Sequence, residues 1–252
     1  MEQTGTSSRL TEAVQSLAAD VVSALRSGDR SGVLCATAGP GADGDVALAA
    51  IRVLASDALL PQVLAAGPAD PADLDVFGRA VRAFPPAPHS SPASCWSHWG
   101  MTRTLAALSR PHLPDLPGGP GTAGEPAARA GHRPGAGTEP DGAWLDDGMS
   151  WQDLTRRLAV LAPLAVPGSG CAPARTAAAR TLDLARGFVR AVRRRDWLQA
   201  AGAARWLALA PDVPASLGLA GGLDFVQYMG GQDTRVLLHT DAARLMLTGA
   251  AV

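Results

Sequence analysis

Residues 9–26, RLTEAVQSLAADVVSALR, return Leu10, Val14, Leu17, Val21 and Leu25 at steps of three and four, the interval of one helical face and not the alternation of a strand. Ser8 is placed to cap this helix and Ser27-Gly28 to end it. The same interval recurs outward from here. A second helix opens at Asp45, runs through Leu48, Ile51 and Leu54, and meets Pro61, which lacks the amide hydrogen a helix interior requires. Asp70-Pro71 starts a third, with Asp70 as cap, Pro71 at the first helical position, and Leu74, Phe77, Val81 and Phe84 inward until Pro85-Pro86 stop it.

Residues 95–110 read as a fourth helix, whose Met101, Leu105 and Leu108 face one way. Ser150 and Asp153 have capping-box spacing ahead of Trp151, Leu154, Leu158 and Leu161. Residues 172–195 are expected as one long helix with Leu182, Ala185, Val189 and Val192 inward. Asp196 caps the next, through Trp197, Ala200, Ala204 and Leu207 to Pro211. Gly pairs bound residues 223–229, which together with 235–239 read as a short hairpin or packed loop, and Asp241 caps a final helix. The fold class expected is mainly α, a helical bundle or two helical lobes; the alternative is α/β with a short parallel sheet.

Domain organisation follows from a break in this pattern. Residues 111–148 are dense in Gly and Pro and poor in large apolar side chains, too few to offset the entropy of ordering. They are expected to be a flexible linker between an N-terminal lobe, 1–110, and a C-terminal lobe, 149–252.

Composition excludes several classes. With 47% hydrophobic and 18% charged residues the chain suits a globular fold. No uncharged apolar run approaches the roughly 18 to 20 residues that span a bilayer, and residues 1–9 lack a signal-peptide pattern, so a cytoplasmic location is expected. The formal charge of -1 leaves no whole-molecule field to attract nucleic acid or anionic lipid. Every basic residue is Arg, Lys and Asn are absent, and Ile51 is the sole Ile, the signature of a GC-rich bacterial genome. Arg clusters in such a chain are weaker evidence for phosphate binding than usual. Cys35, Cys95 and Cys171 are far apart and odd in number, neither a disulfide framework nor a zinc cluster.

Three constellations offer chemistry. Gly39-Pro40-Gly41-Ala42-Asp43-Gly44 is a formal GxGxxG placed before the Asp45 helix, with residues 32–38 where the preceding strand of a nucleotide-binding unit would run. Pro40 removes a donor from that cradle, and Asp43 and Asp45 put negative charge where phosphate would sit, so a loop leading to a capping Asp45 is the simpler reading. Cys95 and His98, three apart on one helix, are the candidate nucleophile and base of an enzyme reading, with Trp96, Trp99 and Met101 as an apolar pocket. No adjacent carboxylate orients the imidazole, so a core histidine is the plainer alternative.

The third constellation lies between residues 175 and 205, where Arg186, Arg190 and Arg193 share a helical face with Arg194 beside them. Such a surface suits an acidic protein or peptide partner; the neutral total charge and the lack of a DNA-reading motif speak against nucleic acid. Asp196-Trp197, Ala200 and Pro211 loosely resemble a single tetratricopeptide unit, but no second copy follows, and the resemblance supports helix-pair packing alone. His239, Asp241, Gln232 and Asp233 gather near Tyr228 without the spacing of metal ligands, so neither metal nor cofactor is expected. The function expected is that of a non-catalytic helical accessory or adaptor protein in a bacterial pathway. An enzyme, a nucleotide-binding domain and a DNA-binding regulator are the alternatives.

Overall fold

The computed structural model describes residues 2–37, 44–65, 69–110, 137–146 and 148–249. The protein is mainly α, with no strand among the described residues. In chain order the helices are α1 (Glu2–Ser27), α2 (Val33–Thr37), α3 (Gly44–Leu54), α4 (Leu60–Leu64), α5 (Pro71–Ala83), α6 (Pro92–Leu108), α7 (Trp151–Val160), α8 (Ala172–Ala179), α9 (Thr181–Arg193), α10 (Trp197–Leu207), α11 (Leu219–Gly230) and α12 (Thr234–Thr248). Short 3-10 turns occur at Ala55–Leu59, Gly142–Leu145, Ala162–Leu164 and Ala215–Leu217.

Local chemistry fixes many of these ends. Asp70 accepts from the Ala72 amide at 2.9 Å, and Asp196 from the Gln199 amide at 3.3 Å. Ser150 Oγ accepts from the Asp153 amide at 3.2 Å and donates to its carboxylate at 2.8 Å. Gly28 ends α1 in the left-handed region at φ 73, returning its N–H to Ala24 O. Ser8 lies within α1 and caps nothing, because the helix already begins at Glu2.

Several expectations are corrected. Residues 33–37 form a helix, not a strand: buried Asp73 of α5 accepts from the amides of Leu34 and Cys35 at 3.0 and 3.1 Å, capping α2 from a distance. The glycine motif that this strand would have served lies, from residue 39 to 43, outside the described residues. Asp45 stands in the first turn of α3, inside the helix. That helix stops before Pro61, at Ala55 with φ 55, and Pro61 occupies the first turn of α4, where no amide is needed.

The expected 172–195 helix divides at Arg180, where the Thr181 hydroxyl donates to Ala178 O and Pro211 O. Residues 223–239 are two helices, α11 and α12, because their glycines serve close packing more than turning: a Cβ on Gly230 would lie 2.5 Å from Trp197 Cβ. Asp233 caps α12, whereas Asp241 sits within it and pairs with Arg26 and Arg244. Residues 111–136 of the expected linker lie outside the described residues, but 137–146 belong to the fold: Leu145 is buried and Glu139 accepts from the Ala172 amide.

Helix α10 is the centre of the packing, touching α7, α9, α11 and α12, and residues 200–207 are buried on every side. Small residues permit this: a Cβ on Gly202 would meet Ala159 O at 2.8 Å. Two apolar clusters result, and each takes side chains from both halves of the chain. One surrounds α7, α9, α10 and α11 and includes Trp96 and Trp99 of α6; the other surrounds α1, α3 and α5 and includes Leu238 and Ala242 of α12. The stretch Gly44–Leu64 is long and apolar enough to cross a membrane, and 67% of its most apolar window is buried within the protein.

Where the halves meet, a charge is buried. Arg205 of α10, with no exposure, donates Nη1 to Asp57 Oδ1 at 2.6 Å and Nε to Ala165 O at 3.0 Å. His239 of α12 completes the group, with Nδ1 3.4 Å from Arg205 Nη1 and 3.5 Å from Asp57 Oδ2. Burial pushes the imidazole down from its ordinary 6.5 to about 4 against the pull of Asp57, and the Arg205 charge adds to the fall. His239 is therefore neutral at pH 7.

Candidate functional site

The sequence of α9 divides into two faces. Leu184, Ala185, Phe188 and Ala191 are buried, against α10 and α7, while Leu182, Arg186, Val189, Arg190 and Arg193 follow one another along the outside. This corrects the expected inward stripe: Leu182 is 61% and Val189 44% exposed. The phase is set by Gly187, whose missing Cβ lets α9 lie directly on Thr155 of α7; a Cβ there would be 1.8 Å from Thr155 Oγ1.

Trp151, the first residue of α7, forms one side of a groove along this outer face, and Pro214, Ser216 and Leu217 of the turn after α10 form another. The groove encloses about 870 Å³. Its floor is apolar, from Leu182, Ala185, Val189 and Leu217, and its edge carries Arg186, Arg190, Arg193 and Arg194. Arg190 stacks its guanidinium 5.5 Å over the Trp151 ring, which holds both side chains in place. Arg186 shares Asp183 with Arg180, at 3.3 and 2.6 Å. Arg193 and Arg194 enter no ion pair among the described residues. The result is an apolar trough bordered by positive charge that the protein itself only partly neutralises.

The structure thus brings all four Arg residues singled out from the sequence to one groove. Sequence reading missed Trp151, Leu182, Val189 and the 214–217 turn. The signal for two of them was present: apolar residues seven apart interleave with arginines four and seven apart, a mixed face that neither core nor solvated surface requires.

Cys95 and His98 both lie on α6. No hydrogen bond joins them among the described side-chain contacts, and His98 Nδ1 is buried without a partner. Arg52 of α3 reaches this region, donating to Ser97 Oγ at 2.8 Å and Ser94 O at 3.1 Å. Burial, and then the Arg52 charge, lowers the His98 pKa below its ordinary value. The Arg52 cation stands where a catalytic imidazole uses a carboxylate, and it disfavours the protonated ring. Of the expected pocket, Trp96 and Met101 are fully buried core residues. Trp96 meets Trp99 edge to face at 5.4 Å, and Trp99 borders a cavity. Among the described residues no group of three His, Cys, Asp or Glu side chains is arranged to hold a metal.

No protein-family model matches the chain, and neither a curated protein nor a solved structure is detectably similar to it.

Proposed function

We propose that the protein is a non-catalytic helical adaptor that binds an acidic, amphipathic helix of a partner protein in the groove of α9. The observation that supports this reading is the joining of exposed Leu182 and Val189 to Arg186, Arg190, Arg193 and Arg194 in one concave surface. Apolar floors with charged rims are how helix-in-groove recognition divides its labour: burial supplies affinity, and the rim selects the charge of the partner. From residue 182 to 194 the face is roughly 18 Å long at 1.5 Å per residue, matching about three turns of a bound helix. In this reading the protein acts in the cytoplasm as an accessory to a bacterial pathway, and the partner supplies Asp or Glu opposite Arg193 and Arg194.

Fluorescence anisotropy tests this with a labelled 18-residue helical peptide whose apolar stripe is edged by Glu, beside a peptide of the same stripe edged by Lys. The Glu peptide binds, the Lys peptide does not, and Arg190→Glu with Arg193→Glu weakens binding roughly tenfold or more at low salt, since each rim contact contributes about 0.2–1 kcal/mol and reversal replaces attraction with repulsion. Equal affinity of both peptides, or no change on reversal, refutes the reading.

A further inference from the structure

We infer that a second, smaller cavity, where α6 meets the loop after Ala162–Leu164, is a binding site for a small carboxylic acid with an aromatic or branched apolar body. The site is distinct from the α9 groove. It encloses about 200 Å³, and its walls come from both halves of the chain: Val63 of α4, Trp99 of α6, and Leu164 and Val166 beyond α7. Those walls are apolar and select an apolar body of modest size.

Two polar features select the rest of the ligand. At the wall, Ser56 is only 5% exposed, and its buried Oγ has no hydrogen-bond partner among the described residues. A buried hydroxyl without a partner is destabilising, and a ligand atom that bonds to it removes the deficit. Gly100 sets no side chain against this hydroxyl, and Leu164 fills the space: a Cβ built at Gly100 would stand 3.2 Å from Ser56 Oγ and 2.2 Å from Leu164 Cδ2, so a ligand reaches the buried hydroxyl by displacing the Leu164 side chain. Arg103 also lines the cavity. It is exposed, enters no ion pair among the described residues, and holds its guanidinium 5.2 Å over the Trp99 ring, whose indole N–H is fixed by Gly137 O at 3.0 Å. A cation so placed pairs with a carboxylate at the mouth while the apolar body lies against Trp99 and Leu164. The enclosed volume, at about 30 Å³ per water-sized unit, is compatible with a molecule the size of a substituted benzoate and too small for a nucleotide.

The probes are benzoate, 4-hydroxybenzoate and the uncharged phenol, titrated into the full chain with calorimetry and a thermal melt as readouts. 4-Hydroxybenzoate binds with a dissociation constant below about 1 mM and raises the melting temperature, benzoate binds more weakly, and phenol weakest of the three. Arg103→Gln, a surface change, lowers the affinity for both acids about tenfold and leaves phenol unaffected. Ser56→Ala folds as the parent does and abolishes the preference for the hydroxylated acid. Absence of saturable binding to the unaltered protein overturns the proposal, as does unchanged acid binding by Arg103→Gln or a preference that survives in Ser56→Ala. The α9 charge-reversal variant, Arg190→Glu with Arg193→Glu, binds 4-hydroxybenzoate normally, so failure of the peptide reading and failure of this one are separable.

Discussion

Replacing Arg205 with Met removes the cation that joins the two halves of the molecule while keeping much of its apolar volume. Asp57 stays behind, with 2% of its side chain exposed, deprived of a partner that lay at 2.6 Å, and Ala165 O loses its donor at 3.0 Å. An ion left unpaired in such surroundings costs about 3–5 kcal/mol. For a chain of this length each kcal/mol lowers the melting temperature by about 2–4 °C, so a fall of roughly 6–20 °C is expected. Asp57→Leu leaves the opposite orphan and costs a similar amount. The double variant, Asp57→Leu with Arg205→Met, leaves no buried charge and is more stable than either single variant, so the coupling exceeds about 3 kcal/mol in urea unfolding followed by circular dichroism. Arg205 Nη2 has no hydrogen-bond partner among the described residues, which further limits what the pair contributes over an apolar replacement. Single variants that cost under about 1 kcal/mol and simply add would refute the reasoning, since they imply that water reaches these ions.

Acid weakens the same junction through a different group. The unfolded chain protonates His239 near 6.5, whereas the folded protein keeps it neutral down to about 4, so stability falls as pH drops from 6.5 toward 4, by at most about 3 kcal/mol, and this contribution is constant above 6.5. Denaturant midpoints measured across that window show the slope, and His239→Gln flattens it; an unchanged slope in that variant contradicts the assignment. In the core, Gly202→Ala improves intrinsic helix propensity by about 1 kcal/mol yet places a methyl 2.8 Å from Ala159 O, so a net loss of about 1–3 kcal/mol is expected in thermal melts. A stabilised Gly202→Ala variant means that α7 and α10 are not in close contact.

The helical class was readable because period and caps agree in the sequence. Leu10 to Leu25, Asp70-Pro71 and Ser150 with Asp153 each specify their helix from residues within a few positions. What escaped depends on partners distant in the chain. Val33–Thr37 is helical because Asp73 caps it from 38 or 39 positions away. The helix at Leu219–Gly230 carries Gly222 and Gly230, which pack against Phe188 and Trp197, so glycines that serve contact imitate turn punctuation ahead of Thr234–Thr248. On α9 two apolar stripes were available, and the seat of Gly187 on Thr155 of α7 goes with burial of the Leu184 and Phe188 stripe. The arginines of the groove were legible from their spacing, but Trp151 and Leu217 reach it from other elements. Nothing local marked Asp57, Arg205 and His239 as a group, since they lie on three elements and meet only through the packing of α10.

Hydrogen exchange read by mass spectrometry, with and without the Glu-edged helical peptide, tests the central functional claim most directly. Bound peptide is expected to slow exchange in Thr181–Arg193, at the start of Trp151–Val160 and around residues 214–217, leaving the Trp99 cavity unchanged. Protection that spares these segments while the peptide is bound would contradict the claim.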